Sequence, residues 1–80
     1  MPAVTLYTRA GCCLCDDAKR VLDAARQRVG FVLQVVDIDG DPELRRLYND
    51  EVPVIAIDGR KAFKYRVDLN EFVKRLAARV

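Results

Sequence analysis

The sequence predicts an α/β fold in which a four-stranded mixed sheet carries helices on both faces. Three observations predict it. Apolar, β-branched runs alternate with segments of helical periodicity in the order β-α-β-α-β-β-α. A helix separates the first two strands, which requires a parallel, right-handed crossover. An Asp-Gly turn signal separates the last two runs and predicts an antiparallel hairpin. We expect a single domain over residues 1–80.

A change of period marks the first strand and the first helix. Val4–Thr8 is β-branched and aromatic, as strands are. From Cys12 to Val29 the apolar residues recur at three- and four-residue steps, which predicts a helix that ends at Gly30. The face that this helix buries is expected to hold Cys15, Ala18, Leu22, Ala25 and Val29.

The second strand and a short second helix follow. Phe31–Ile38 is apolar enough to predict a strand covered on both faces. Asp41 as a cap and Pro42 at the first helical position predict a helix start. The buried side of that helix is expected to consist of Leu44, Leu47 and Tyr48.

The hairpin and the last helix complete the predicted fold. Val54–Ile57 and Lys61–Tyr65 are its two strands. Asp68 and Glu71 have the spacing of a capping box. The helix behind them is expected to bury an apolar stripe of Leu69, Phe72, Val73, Leu76, Ala77 and Val80.

Composition excludes several kinds of partner. The net charge is only +2, from 14 basic and 12 acidic residues, so we expect no nucleic-acid partner. No apolar run approaches the ~20 residues that cross a bilayer, so we expect no membrane contact. The first residues lack the features of a signal peptide, so we expect a cytoplasmic protein. In a reducing cytosol, three cysteines are better candidates for catalysis or metal binding than for structural disulfides.

The cysteines lie at the predicted start of the first helix. Cys12 and Cys15 are three residues apart and share a helix face, a spacing that a disulfide can close. The positive end of the helix dipole stabilises a thiolate, which is the attacking species in thiol–disulfide exchange. Cys12, nearest the loop, is therefore the predicted nucleophile, and Cys15 is the predicted resolving thiol. Cys13 is expected to be a bystander because adjacent helical residues do not face each other, and a reactive Cys13 is the alternative.

Two other interpretations of the cysteine cluster remain open. One is a metal-binding module for copper, zinc or an iron–sulfur cluster. The chain has no His, so a four-ligand zinc site would need a carboxylate or a second chain, and we expect no resident metal. The other is a redox-inactive interaction domain that has kept the fold.

The Val52–Pro53 pair is the second informative feature. Pro53 begins the third predicted strand, where a missing N–H is tolerated. A cis bond there would leave the backbone of Val52 free to pair with an extended substrate. A trans bond is favoured by the base rates for an isolated X–Pro pair, so the residues alone leave both forms open.

The chain resembles the glutaredoxins, especially the short bacterial glutaredoxin-like proteins of the thioredoxin superfamily. Residues 6–15 resemble the glutaredoxin segment that ends in Cys-Pro-Tyr-Cys, and residues 51–54 resemble its Thr-Val-Pro. The resemblance implies a thioredoxin fold, a Cys12 nucleophile resolved by Cys15, a cis Pro53, and substrate binding by Arg9, Val52 and Pro53.

The same resemblance implies an electron-transport enzyme that reduces protein disulfides or glutathione mixed disulfides. It implies a monomer with no bound cofactor, recycled by glutathione or by thioredoxin reductase. The chain departs from the glutaredoxins at two places. Cys13-Leu14 stands between the cysteines instead of Pro-Tyr, and residues 63–68 lack the Gly-Gly that precedes Asp in glutathione binding. Glutathione is therefore expected as a possible electron donor rather than an assured ligand.

Overall fold

The structure, a computed structural model, describes residues 2–49 and 51–78. The predicted element order is confirmed. The elements are β1 (Ala3–Thr8), α1 (Cys13–Arg26), β2 (Val32–Asp37), a 3₁₀ helix (Ile38–Gly40), α2 (Pro42–Tyr48), β3 (Val54–Ile57), β4 (Arg60–Lys64) and α3 (Leu69–Ala77).

The strands form one mixed sheet in the order β2-β1-β3-β4. β1 pairs in parallel with β2 and antiparallel with β3, and β3 pairs antiparallel with β4. The Asp58–Gly59 turn closes the predicted hairpin, with φ of 52° and 84°. Two successive positive φ values are typical of the tight turns that match the twist of a hairpin.

The core lies between one face of the sheet and the helices α1 and α3. Val4 and Leu6 of β1 pack there with Leu22 of α1 and with Phe72 and Leu76 of α3, all at most 1% exposed. α1 therefore packs against this face of the sheet, and the cysteine-bearing end of α1 lies beside the last residues of β1.

The apolar face of α1 is as predicted, but the helix ends three residues early. Cys15, Ala18, Leu22 and Ala25 are buried, and the helix stops at Arg26 rather than Val29. The last turn is tighter than an α-helical turn, because the N–H of residue 27 donates to the carbonyl oxygen of residue 24, three residues earlier, at 3.2 Å.

The prediction that β2 is covered on both faces is wrong. β2 is an edge strand, and Val32 and Val35 are 57% and 49% exposed. Its apolar composition matches that of a central strand, and only the pairing order reveals that β2 has one neighbour.

The short helix α2 begins as predicted but buries less. The Asp41 carboxylate accepts hydrogen bonds from the N–H groups of Glu43 and Leu44, at 2.9 and 3.4 Å. The helix has no fully buried residue, and Leu47, predicted to be buried, is 47% exposed. Seven residues give α2 only two turns, and its main aromatic contact is Tyr48 on Tyr7, with ring centroids 4.8 Å apart.

The last helix begins where its cap predicts. The Asp68 carboxylate accepts a hydrogen bond from the N–H of Glu71 at 3.0 Å. Phe72 and Leu76 are buried, whereas Ala77, predicted to join the stripe, is exposed on the other side of the final turn. Val80 lies outside the described residues. None of the helices in the described ranges has the length and apolar character that crossing a bilayer requires.

Candidate active site

Cys12 caps the first turn of α1. Its backbone is extended, with φ −92° and ψ 111°, and its Sγ accepts a hydrogen bond from the N–H of Cys15 at 3.2 Å. Gly11, at φ +77°, makes the turn from the strand end into the helix, a conformation that L residues rarely adopt. The side chain of Cys12 is partly exposed. Cys12 is therefore partly accessible to solvent while its Sγ accepts a hydrogen bond from an N–H of the first helical turn.

Cys15 lies on the buried side of the same turn. The residue is 1% exposed and its thiol is free. Burial raises the pKa of this thiol, and the hydrogen bond with Cys12 raises it further. Hydrogen bonds from the Thr8 side chain and the Arg9 backbone lower the pKa and offset part of that rise. The ends of β1 and α1 thus form the environment of the second thiol.

Cys13 is the first residue of α1 and is exposed. In residues 2–49 and 51–78, no three Cys, Asp or Glu side chains converge so that they could hold a metal ion. The three cysteines are thus near neighbours in sequence that point in different directions. One is buried, one is partly exposed and one is fully at the surface.

The Val52–Pro53 segment lies beside the cysteine loop. The peptide bond is cis. Val54 pairs with Tyr7 in the antiparallel ladder, so continuing this register sets Pro53 and Val52 beside Thr8 and Arg9. Pro53 is buried and its carbonyl accepts a hydrogen bond from the N–H of Tyr65 at 2.9 Å. Among the described residues, none forms a hydrogen bond with the backbone of Val52.

The structure places Arg9 in a network that the sequence did not predict. Its Nη2 and Nε donate to the Asp39 carboxylate at 2.7 and 3.4 Å. Its Nη1 donates to the side-chain and backbone oxygens of Asn49, at 2.9 and 3.2 Å. Arg45 also lies 3.5 Å from Asp39. The hydrogen bond from Arg9 is the main reason that the pKa of Asp39 lies below its usual value.

This network connects the two halves of the candidate site. Arg9 precedes the cysteines, and Asn49 lies three residues before Val52. The role of Arg9 in binding a substrate carboxylate stays a prediction, and in this structure each guanidinium nitrogen donates to Asp39 or Asn49. The sequence holds one signal for the contact between Arg9 and Asp39. These residues follow β1 and β2, and the carboxyl ends of two parallel neighbouring strands meet at one edge of the sheet.

The basic residues near the hairpin have different surroundings. Lys61 donates to the Glu51 carboxylate at 2.6 Å, which raises the pKa of Lys61 and lowers that of Glu51. Lys64 Nζ lies 5.6 Å from the centroid of the Tyr65 ring. Lys61 is therefore occupied by an internal partner, while Lys64 covers an aromatic side chain near the cysteines.

Comparisons with known proteins identify the family of this chain. Residues 3–77 match the family model described as a glutaredoxin-like domain (DUF836). An uncharacterized protein of Mycobacterium tuberculosis is 36% identical in a 72-position alignment that covers 84% of this chain and 74% of the relative. A glutaredoxin-like protein of Dictyostelium discoideum is 31% identical in a 71-position alignment that covers 81% of this chain and 66% of that protein.

Solved structures agree with the fold. A protein from Nitrosomonas europaea superposes with a TM-score of 0.81 at 32% identity, over 92% of this chain and 89% of that one. The reduced desulfothioredoxin of Desulfovibrio vulgaris Hildenborough superposes with a TM-score of 0.71 at 26% identity, over 99% of this chain and 81% of that one. The predicted α/β thioredoxin fold is therefore confirmed.

Proposed function

The chain belongs to the glutaredoxin-like domain family, and on that basis we propose that it is a dithiol thiol–disulfide oxidoreductase that uses Cys12 and Cys15. One observation carries the proposal. The partly exposed Cys12 Sγ accepts the N–H of Cys15 at the start of α1, and the Cys15 thiol is buried one turn away. A hydrogen bond donated by N–H at a helix N-terminus stabilises a sulfur anion.

In the first step the Cys12 thiolate attacks one sulfur of a substrate disulfide. A bond forms between Cys12 Sγ and that sulfur as the substrate S–S bond breaks. The other substrate sulfur leaves as a thiolate and takes a proton from solvent. The partial exposure of Cys12 supports this assignment, because the attacked disulfide must approach its sulfur in line.

In the second step Cys15 resolves the mixed disulfide. Its thiol gives up a proton to water, its sulfur attacks Cys12 Sγ as the bond from Cys12 to the substrate sulfur breaks, and that sulfur leaves as a thiolate that takes a proton from water. The pair ends as a Cys12–Cys15 disulfide, and two electrons have passed to the substrate. Because burial raises the pKa of Cys15, this thiol is less readily ionised, which supports Cys12 as the group that attacks first.

The backbone of half-buried Val52, which forms no hydrogen bond with any described residue, supports the way in which substrate would bind. Backbone N–H and C=O groups that lack a partner pair readily with an extended peptide. Continuing the register of β1 and β3 sets Val52 beside Arg9, so a peptide paired there would lie near the loop that leads to Cys12. We propose that protein disulfides bind in this way.

Return to the dithiol form needs two electrons from a second thiol donor. Two glutathione molecules could supply them through a mixed disulfide at Cys12, with oxidised glutathione as product. A reduced dithiol protein fed by thioredoxin reductase could supply the same two electrons. The chain lacks Gly-Gly before Asp68 and has Tyr65 at φ 65° in that segment, so the two donors need to be compared directly.

The test is disulfide reduction by the unmodified chain, by Cys12→Ser and by Cys13→Ser, each with glutathione or thioredoxin reductase as the recycling system. We expect turnover to vanish in Cys12→Ser and to remain in Cys13→Ser. Full activity of Cys12→Ser would contradict the proposal. No turnover with either donor would favour the metal-binding or interaction-domain interpretations, which metal titration and partner binding would then separate.

A further inference from the structure

A groove lies beside the cysteine pair, between the first half of α1 and the segment that follows β4. It encloses about 130 Å³. Leu14, Ala18 and Val21 form one wall, and residues 65–67 form the other. Leu14, Ala18 and Val21 are spaced four and three apart and so make one apolar stripe, with Asp17 beside it on the same wall.

The groove adjoins both halves of the candidate site. Leu14 lies between the two cysteines of the proposed redox pair. Tyr65, on the opposite wall, donates its N–H to the carbonyl of Pro53 at 2.9 Å. A polypeptide that pairs with Val52 and presents a disulfide to Cys12 therefore has the groove within reach of its next side chains.

We propose that this groove binds an aliphatic side chain of a polypeptide disulfide substrate, with an acidic residue of the same substrate at its rim. The proposal rests on the proposed function, since it names the substrate class of that site. The apolar contact in the groove would select among protein substrates by the residues on either side of their reactive cysteine.

The size of the groove fits this occupant. One water needs about 10–15 Å³ of such space, so 130 Å³ accepts a branched aliphatic side chain. The helix rises about 1.5 Å per residue, which puts the middle of the groove about 8 Å from Cys12 along the α1 axis. An extended peptide covers about 3.3 Å per residue, so the apolar side chain belongs two or three residues from the reactive cysteine.

The charges at the rim favour an acidic neighbour. Arg66 lines the groove and is exposed, and its guanidinium has no hydrogen bond or ion pair with any residue in the described ranges. Asp17, on the α1 side, lies 3.6 Å from Arg20, which offsets its charge. Among the residues that line the groove, Arg66 therefore carries the charge that no described residue pairs with, and a substrate carboxylate complements it.

Glutathione lacks the feature that this groove would select. Its carboxylates could pair with Arg66, but none of its three residues carries an aliphatic side chain, so it leaves the wall formed by Leu14 and Val21 in contact with water. The groove therefore predicts that polypeptide disulfides are better substrates than glutathione disulfides, whichever donor recycles the enzyme.

The first arm of the test compares two peptides that differ only at one position, with leucine or serine two residues from the cysteine. The cysteine is held as a mixed disulfide with a chromophoric thiol, so turnover is measured as kcat/KM. A few methylenes in an apolar pocket give discrimination of about tenfold. We expect that ratio to fall to about two in Val21→Gln and to persist in the matched control Ala24→Gln, an exposed position on the same helix.

The second arm needs no chemistry at the cysteines. The same peptides with an S-methylated cysteine are titrated into the labelled chain, and amide chemical shifts are followed. We expect the leucine peptide to shift Leu14, Val21 and Val67. We also expect Arg66→Gln to weaken binding of a peptide with an adjacent glutamate about two- to threefold, as exposed ion pairs contribute little.

The outcomes separate the groove from the proposed function. Equal turnover of the two peptides, or equal loss in Val21→Gln and Ala24→Gln, would overturn the groove proposal and leave the redox proposal standing. Leucine-dependent shifts at the groove without any turnover would support the groove as a peptide site while the redox proposal fails. Shifts confined to other surfaces would overturn the groove proposal.

Discussion

Replacing Thr8 by valine tests how the structure controls the second thiol. Thr8 is 7% exposed, and its hydrogen bond is the larger of two interactions that lower the pKa of Cys15 against the effect of burial. Valine keeps the shape of the side chain and removes the hydroxyl. The pKa of Cys15 should therefore rise further, and the step in which Cys15 attacks the mixed disulfide should slow.

The size of the effect follows from the lost hydrogen bond. A hydrogen bond to a charged group contributes about 1.5–3 kcal/mol, and its loss lowers the fraction of Cys15 that is thiolate. A more basic thiolate is a better nucleophile, and a Brønsted exponent of about 0.4–0.5 recovers nearly half of that loss on a logarithmic scale. We expect the resolving step to slow about three- to fifteenfold at neutral pH.

A single-turnover experiment with an unsymmetrical disulfide separates the two steps. Release of the first thiol reports the attack by Cys12, and release of the second reports resolution by Cys15. Thr8→Val should slow only the second release. Thr5→Val is the matched control, since Thr5 lies on the same strand, is half-buried and faces the other side of the sheet. Equal slowing of both releases, or the same change in Thr5→Val, would refute the reasoning.

Three further predictions concern stability. Phe72→Ala should lower the free energy of unfolding in urea by about 3–5 kcal/mol. The ring is fully buried, and its centroid lies 5.5 Å from that of Phe31 and 6.1 Å from that of Phe63. A loss below about 1 kcal/mol would contradict that packing. The pKa of Asp39 is lowered from 3.8, so its stabilising contribution is present above that value and is lost as the pH falls through the folded-state pKa. Asp39→Asn should therefore flatten the loss of thermal stability below about pH 4, and an unchanged slope would argue against the ion pair. The pKa of Cys15 is raised from 9.0, so its contribution is full below that value and is lost as the pH rises through the folded-state pKa. Cys15→Ala should reduce the fall in thermal stability at alkaline pH, and an identical alkaline profile would contradict the burial of the thiol.

Much of the fold could be predicted because local signals agree with the global pairing. The Asp58–Gly59 turn and the caps at Asp41 and Asp68 act through their own neighbours, so the sequence around them is sufficient. The buried stripe of α1 follows from one helical period. The exposure of β2 did not follow, because an apolar strand has the same composition whether it has one neighbour or two.

The parts of the candidate site that are close in sequence could be predicted, whereas contacts between residues far apart in sequence could not. The order of Cys12 and Cys15 on one helical turn carries the prediction of a nucleophile at the cap and a buried partner. The contacts of Arg9 with Asp39 and Asn49 join residues 30 and 40 positions apart. Such contacts depend on where the end of β2 and the end of α2 come together in the folded chain, which no local pattern specifies.

The central claim is that Cys12 attacks the substrate and Cys15 resolves the product, and trapping the covalent intermediate tests it most directly. Cys15→Ser is mixed with a peptide disulfide, quenched with acid and mapped by mass spectrometry after digestion. We expect a peptide mixed disulfide on Cys12, no such adduct in Cys12→Ser, and a Cys12–Cys15 disulfide in the unmodified chain. A stable adduct on Cys13, or on none of the cysteines, would contradict the account.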